Sequence, residues 1–433
     1  MQATANRKKI IINKTIDKVI FILKYVVMLL LILKTQSVFT FFKDIDLHIN
    51  LILSINLMLL TILRIYNKEI IICGRKNQLK IIALYMIYIV LYALMTRLED
   101  KSYIANYVVI LPLFFINLAI SKDIKEEIVN ASKIFTKLIL IITILSIFFY
   151  VFGSLLNIIK PTNNVTIEWG VERNFDSYFL LHYNAQNINV GNVHFYRNSS
   201  IFTEAPMFSL VLSVALMFEV FINDAKRKNY IAIFVLGLIS TVTLSAFISI
   251  FLIYILWLFI NVKSIYKNRK LLVLNIIIML ITLAGVLILL NIRSNTSSLN
   301  IRSDDYAACF KAFSKKIFLG HGYNNEDAIK EYMSDFRWYN QGLSNSIGTI
   351  LAEGGIYFSI LYILPCGILL RYSIIERKKN LFSLMICYVV SISIFIYHTT
   401  PLMFFILSMM YAYIYDYTIE EVKEKEANEK INN

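Results

Sequence analysis

A few charged residues lie within or at the ends of long apolar stretches, and they are the first candidates for chemistry. They are Lys24, Glu204, Glu219, Glu353 and Asp416. A charge inside a membrane is costly, so it indicates function unless an ion pair or a side chain reaching the surface accounts for it. Lys24, Glu219 and Asp416 lie near predicted inner ends of their stretches. We expect these three to be structural.

Glu204 differs because it follows Arg197 at the predicted outer end of its apolar stretch. If a helix began at Ser200, Glu204 would lie one turn inside the boundary, with Arg197 just above it. An arginine so placed can bind phosphate through its bidentate fork, and the carboxylate can accept a proton. The alternative is an internal Arg–Glu pair that stabilises the start of the helix. The spacing fits both interpretations.

A second group of candidates surrounds Arg302. The apolar spacing from residue 306 to 317 predicts an amphipathic helix on the outer surface, with Ser303 as N-cap and Asp304 and Asp305 in its first turn. Arg302 would then stand at the positive end of the helix dipole, a suitable place for a phosphate. The two aspartates also interact favourably with that dipole, so the alternative is that Arg302 is solvated and binds no phosphate.

The predicted helix is followed by Gly320-His321-Gly322. This Gly-x-Gly alone does not indicate a nucleotide loop, and Gly320 is most simply the residue that ends the helix. His321 is a candidate proton donor or phosphate ligand, and an ordinary loop histidine is the alternative.

The surrounding elements are predicted from hydropathy. Of 433 residues, 58% are hydrophobic and 17% are charged, and the apolar blocks are long enough to span a bilayer. The sequence therefore predicts an all-α polytopic membrane bundle, a single domain over residues 1–433 with about twelve helices. The predicted spans are 19–35, 48–66, 80–96, 103–120, 134–156, 202–222, 230–243, 246–262, 271–290, 345–370, 381–397 and 401–417.

The positive charges orient this bundle. Short loops such as Lys226-Arg227-Lys228 and Arg377-Lys378-Lys379 are basic and are expected inside, together with both termini and a tail at 418–433. Two long segments, 157–200 and 291–344, are expected outside, the second carrying the amphipathic helix. Cys309 in that segment is expected to react with an impermeant thiol reagent from outside.

Other partners and cofactors are not indicated. The net charge of +14 is explained by topology, so we do not expect nucleic-acid binding. No carboxylate cluster or histidine-rich group suggests a metal, and no cofactor is expected.

The order of these features resembles the O-antigen and capsular polysaccharide polymerases of the Wzy type, within the O-antigen polymerase and ligase superfamily. The resemblance lies between Arg197 and Pro365. The large loop is similar to the family's second outer loop, with Arg302 ahead of an aromatic helix and Gly320-His321-Gly322 after it, and three further stretches are similar to family motifs. The first is Arg197-x-x-Ser200-x-Phe202-x-Glu204-Ala205-Pro206, in which Ser200 stands where the family has glycine and Pro206 lies one position late. The second is Thr243-Leu244-Ser245 between two spans, and the third is Asn345-Ser346 before Glu353-Gly354-Gly355.

The resemblance implies a metal-independent membrane glycosyltransferase of the bacterial cytoplasmic membrane. It would transfer a growing glycan from undecaprenyl pyrophosphate to the next lipid-linked repeat unit, alongside a repeat-unit flippase and a chain-length regulator. In this interpretation Arg197 and Arg302 bind pyrophosphate, and Glu204, or secondly His321, handles the proton of the acceptor. Asn345 and Ser245 would support the site.

Two other functions remain open. An O-antigen ligase would use the same donor and deliver glycan to lipid A core, but ligase-like members often show a histidine where this chain has Ser344. A flippase for lipid-linked oligosaccharides is expected to carry polar groups at mid-membrane, whereas here they concentrate at the outer edge.

Overall fold

The structure, a computed structural model, describes residues 2–67, 75–98, 100–169, 171–190, 193–224, 226–266, 269–294 and 297–432. Cys73 therefore lies outside the described residues, as do short pieces of both predicted outer segments. About 76% of the chain is helical, which agrees with the all-α prediction for the bundle.

Fifteen α-helices are described in the ranges given above, and several are extended by π-helical turns at Ile104–Ile110, Tyr150–Leu155 and Phe218–Ile222. The helices are α1 (Gln2–Lys34), α2 (Lys43–Tyr66), α3 (Arg75–Thr96), α4 (Lys101–Tyr103), α5 (Leu111–Ala119), α6 (Ile124–Phe149), α7 (Ala205–Met217), α8 (Lys228–Ser240), α9 (Leu244–Tyr266), α10 (Arg269–Ser294), α11 (Ser297–Lys315), α12 (Asp327–Lys330), α13 (Ser346–Ile375), α14 (Lys379–Ile394) and α15 (Pro401–Asn432).

Each predicted span overlaps a helix, but residues 202–204, 241–243 and 395–397 of the predicted spans lie outside the helices. Within the described part of the chain, six helical segments are long and apolar enough to cross a membrane, and four more are apolar but shorter. Large apolar side chains such as Leu84, Leu94 and Ile281 are exposed on the outside of the bundle. Water would not favour so much exposed apolar surface, whereas lipid solvates it, so these helices indicate membrane insertion.

The first predicted outer segment contains β-structure that the sequence analysis did not predict. Strands β1 (Asn163–Trp169), β2 (Val171–Tyr178) and β3 (His182–Tyr183) form one antiparallel sheet, and β4 (Gln186–Val190) and β5 (Val193–Arg197) form a second. The β4–β5 register pairs Gln186 with Arg197. This hairpin therefore positions two polar side chains next to the start of α7.

The second predicted outer segment contains α11, which packs against α13. The prediction that Ser303 caps this helix was wrong, because α11 already begins at Ser297. Arg302 thus lies on the second turn and not at the positive end of the helix. At the other end of the chain, α15 continues without a break from Pro401 through the residues predicted as a tail.

Candidate functional site

Glu204 lies immediately before α7, at the N-cap position, in an extended conformation with φ −153° and ψ 155°. The prediction of a helix from Ser200 was wrong, because Ser200 has φ +54° and the first helical residue is Ala205. Pro206 fits the first turn, where its missing N–H needs no partner. The Glu204 side chain makes no capping bond, so its carboxylate remains available to other groups.

Gln186 connects Glu204 to Arg197. Its amide Nε2 donates to Glu204 Oε2 at 3.3 Å, and its Oε1 accepts from Arg197 Nη1 at 3.1 Å and from the Ala205 N–H at 3.3 Å. Arg197 Nε also donates to the Thr241 carbonyl at 3.1 Å. The strand hairpin and the turn before α9 thus fix the guanidinium beside the start of α7.

Three arginines from separate segments act on the Glu204 carboxylate. Burial raises the pKa of Glu204, while the charges of Arg197, Arg302 and Arg173, in that order, and the Gln186 hydrogen bond lower it. Burial is the largest of these effects, so the pKa of Glu204 is raised from its ordinary value. The structure therefore brings together Arg197, Glu204 and Arg302, three residues that the sequence analysis selected.

Arg302 is held against the end of α14. Its Nη1 donates to the Ile394 carbonyl at 3.0 Å. Gln36 links the segment after α14 to Thr203, the residue before Glu204. Its Nε2 donates to the Ile396 carbonyl at 3.5 Å, and its own carbonyl accepts from the Thr203 N–H at 3.2 Å. The arginine on α11 and the carboxylate before α7 therefore share one end of the bundle.

The two predicted supporting residues both organise turns at helix starts. Asn345 is buried and caps α13, its Oδ1 accepting from the Gly348 N–H at 2.7 Å. Ser245 lies in the first turn of α9, with its hydroxyl 3.3 Å from Thr243 Oγ1 and 3.2 Å from Ser209 Oγ on α7. Ser245 thereby connects the turn that holds Arg197 to the helix that follows Glu204.

The aspartates next to Arg302 have a different role from the one predicted. Arg337 is 1% exposed and places Nη1 2.7 Å from Asp305 Oδ1 and 3.3 Å from Asp304 Oδ2. The two carboxylates hold the segment after α12 against α11, and they do not lie at the start of α11, where they would interact with its dipole. The spacing of residues in the sequence did not indicate a role for Arg337.

His321 lies apart from the arginines. It follows α11, and its Nε2 is 2.9 Å from the Ala312 carbonyl. Because a carbonyl only accepts, this nitrogen must carry the proton. Ala312 is ten residues beyond Arg302 on one helix, about 15 Å at 1.5 Å per residue. The described contacts therefore connect the His321 side chain to the backbone of α11 and not to Glu204.

The Gly320-His321-Gly322 turn lies against a break in α13 at Gly355, where φ is +56° and ψ is −163°. The His321 and Gly322 N–H groups donate to the carbonyls of residues 352 and 353 at 3.0 and 2.8 Å. In return, the N–H groups of Ile356 and Tyr357 donate to the carbonyls of residues 317 and 318 at 2.8 and 2.9 Å. The turn thus satisfies the backbone groups that the break leaves without helical partners.

A buried pair that the sequence analysis did not assemble lies next to this break. Glu353 and His398 are 3% and 6% exposed, and Glu353 Oε2 lies 3.4 Å from His398 Nε2. His398 lies in the turn between α14 and α15, and its own carbonyl accepts from Tyr362 Oη at 3.1 Å. Only the position of Glu353 in an apolar stretch could have signalled this pair.

The three charges expected to be structural all have ion-pair partners. Lys24 Nζ lies 2.7 Å from Glu127, Glu219 accepts from Arg227 Nε at 2.8 Å, and Asp416 lies 3.4 Å from Lys125 Nζ. These contacts favour the structural interpretation of all three.

Cys309 is buried, with 1% exposure. Burial is the main cause that raises the pKa of its thiol to about 12. A thiol that is neither exposed nor ionised does not react with a water-soluble reagent. The expectation that Cys309 can be labelled from outside was therefore wrong, whichever side of a membrane it occupies.

No protein family, curated protein or solved structure matches this chain. In the described ranges, no three histidine, cysteine, aspartate or glutamate residues are grouped as a metal site would require.

Proposed function

We propose that this chain is a polysaccharide repeat-unit polymerase of the Wzy type. It would work at the outer face of the bacterial cytoplasmic membrane, with twelve spans and both termini inside. The observation that supports the proposal is the convergence of Arg197 and Arg302 on Glu204 from segments about a hundred residues apart. The resemblance of the motifs around these residues supplies the substrate class.

In the proposed reaction, an acceptor hydroxyl oxygen attacks the anomeric carbon of the donor glycan. The bond from that carbon to the pyrophosphate oxygen breaks, and undecaprenyl pyrophosphate leaves with the electron pair. Arg197 and Arg302 stabilise the negative charge that develops on the leaving group. The Glu204 carboxylate takes the proton of the hydroxyl, and its raised pKa makes it a better base near neutral pH.

The test is replacement of each arginine. Arg197→Ala and Arg302→Ala should each lower polymerisation on the order of a hundredfold or more, the effect of removing one donor to a developing charge. Single lipid-linked repeat units should accumulate in the cells, long glycan should be absent, and the amount of protein in the membrane should be unchanged. Arg→Lys should restore part of the activity at most, because lysine lacks the bidentate fork.

Lys330→Ala is the matched control. Lys330 is a cation of the second predicted outer segment, paired with Asp327 at 3.0 Å and given no role in the site. Its loss should leave polymer length unchanged. Full-length polymer from both arginine variants would contradict the proposal.

An O-antigen ligase gives a different result in the same cells. Loss of a ligase leaves long glycan on its lipid carrier, whereas loss of a polymerase leaves single repeat units. Analysis of the lipid-linked intermediates therefore separates the two functions.

A further inference from the structure

A cavity of about 560 Å³ lies at the end of the bundle opposite Glu204. The direction of α6 establishes this placement. Near the start of α6, Ser132 Oγ lies 3.1 Å from Asn223 Oδ1, beyond the end of α7. Near its end, Ser146 Oγ donates to Asn198 Oδ1 at 2.6 Å, one residue after Arg197. Because the cavity is lined by the first turns of α6, it is separate from the candidate site.

The cavity has an apolar interior and a basic mouth. Its walls come from α6, the π-helical turn at Phe218–Ile222, α14 and α15. Its charged lining residues are all cations, namely Lys125, Arg377, Lys378 and Lys379. An apolar space closed by cations fits an amphiphile with a negative headgroup.

Nearby carboxylates offset only part of this charge. Asp416 lies 3.4 Å from Lys125 Nζ, and Asp224 lies 3.4 Å from Lys226 and from Asn380 at the mouth. Lys378 and Lys379 contact aromatic rings at 4.4 and 5.0 Å from the ring centres. Ring contacts do not neutralise a cation, so the mouth stays positive overall among the described residues.

A second cavity, of about 340 Å³, provides an internal comparison. It lies between α3, α5, α13 and α15, and its lining residues are apolar or uncharged polar ones such as Tyr85, Leu364 and Thr418. Basic residues are therefore a specific feature of the first cavity and not of every groove on the bundle.

We propose that the first cavity binds an anionic glycerophospholipid, with an acyl chain between the apolar walls and the phosphate at Lys125, Arg377, Lys378 and Lys379. Under the topology proposed above, this lipid belongs to the inner leaflet. The inference is independent of the proposed polymerase activity, since it uses none of the residues of the Glu204 site.

The test is native mass spectrometry of the full-length chain with phosphatidylglycerol or phosphatidylcholine of identical acyl chains. Phosphatidylglycerol should be retained preferentially. The triple variant Arg377→Gln, Lys378→Gln, Lys379→Gln should lower that retention about a hundredfold, since each basic residue near an anionic headgroup strengthens binding about fivefold. Its matched control is Lys311→Gln, Lys315→Gln, Lys316→Gln, which removes the same charge at the far end and should leave retention unchanged.

A second pair of variants tests the apolar part. Leu384→Trp should fill the first cavity and release the lipid, whereas Leu364→Trp, in the second cavity, should not. Glycerol phosphate, which has the headgroup without the chain, should fail to displace the phospholipid. Equal retention of both phospholipids, an unaffected triple variant, equal loss in the matched control or displacement by glycerol phosphate would each overturn the proposal.

Discussion

At the residue scale, the candidate site combines a buried carboxylate with surrounding arginines. Burial and positive charge shift the Glu204 pKa in opposite directions, and burial has the larger effect. The carboxylate therefore binds a proton more readily than a solvated glutamate. A phosphate-linked substrate would encounter this carboxylate and the arginines in one place.

The pH dependence of polymerisation tests the role of Glu204. If its carboxylate is the base, activity falls as pH decreases through the Glu204 pKa. The Gln186 hydrogen bond lowers that pKa, so Gln186→Leu should raise it and move the acid limb of the rate profile to higher pH. The measurement is polymer formation in membranes at a series of pH values.

Asn187→Leu is the control, because Asn187 is the exposed neighbour of Gln186 on the same strand and has no part in the described contacts of Glu204. The acid limb of this variant should not move. An unchanged limb in Gln186→Leu would remove Glu204 from the role of base.

The sequence indicated part of this site. Arg197 and Glu204 are seven residues apart at the end of an apolar stretch, so their proximity could be predicted. Arg302 joined them only through a resemblance, because sequence spacing carries no information on contacts across a hundred residues. Nothing in the sequence indicated a role for Gln186 or Gln36, since glutamine is common in polar loops.

At the element scale, the apolar helices were predictable and the polar segments between them were not. In lipid, a run of about twenty apolar residues satisfies its backbone hydrogen bonds by forming an α-helix. The segment 157–200 forms two sheets through pairings such as Gln186 with Arg197, which hydropathy does not reveal. The early start of α11 at Ser297 was missed because its first turn is polar.

The break at Gly355 gives a prediction for this scale. A Cβ at Gly355 would lie 2.5 Å from the backbone of Phe318, and its φ of +56° disfavours any L side chain. Gly355→Ala should therefore lower the stability of the chain in detergent by about 1–3 kcal/mol. Gly367→Ala on the same helix is the matched control, since its Cβ would meet nothing within 4 Å.

Helix propensity alone favours alanine over glycine by up to about 1 kcal/mol, so the control should be neutral or slightly stabilising. Thermal unfolding of both variants is the measurement. Equal melting temperatures for the two variants would show that the break does not depend on glycine.

At the scale of the whole molecule, the proposed topology puts the Glu204 site outside and the basic-mouthed cavity inside. A cysteine at the exposed position 311 should then react with an impermeant thiol reagent in intact cells. One at the exposed position 228 should react only after the membrane is opened. Native Cys309 should remain unlabelled in both states because it is buried. Labelling of position 228 from outside would reverse the orientation.

The break in α13 also sets an order of events during biosynthesis. Residues 317–322 leave the ribosome before α13 does, yet they supply the partners for its backbone at residues 352, 353, 356 and 357. Within a bilayer, unpartnered peptide groups cost several kcal/mol each. Under the proposed topology, the part of α13 before the break can therefore reach its final conformation only after residues 317–322 have reached the outer side. Maturation of this helix would then depend on translocation of a segment outside it, and insertion of the span alone would not complete it.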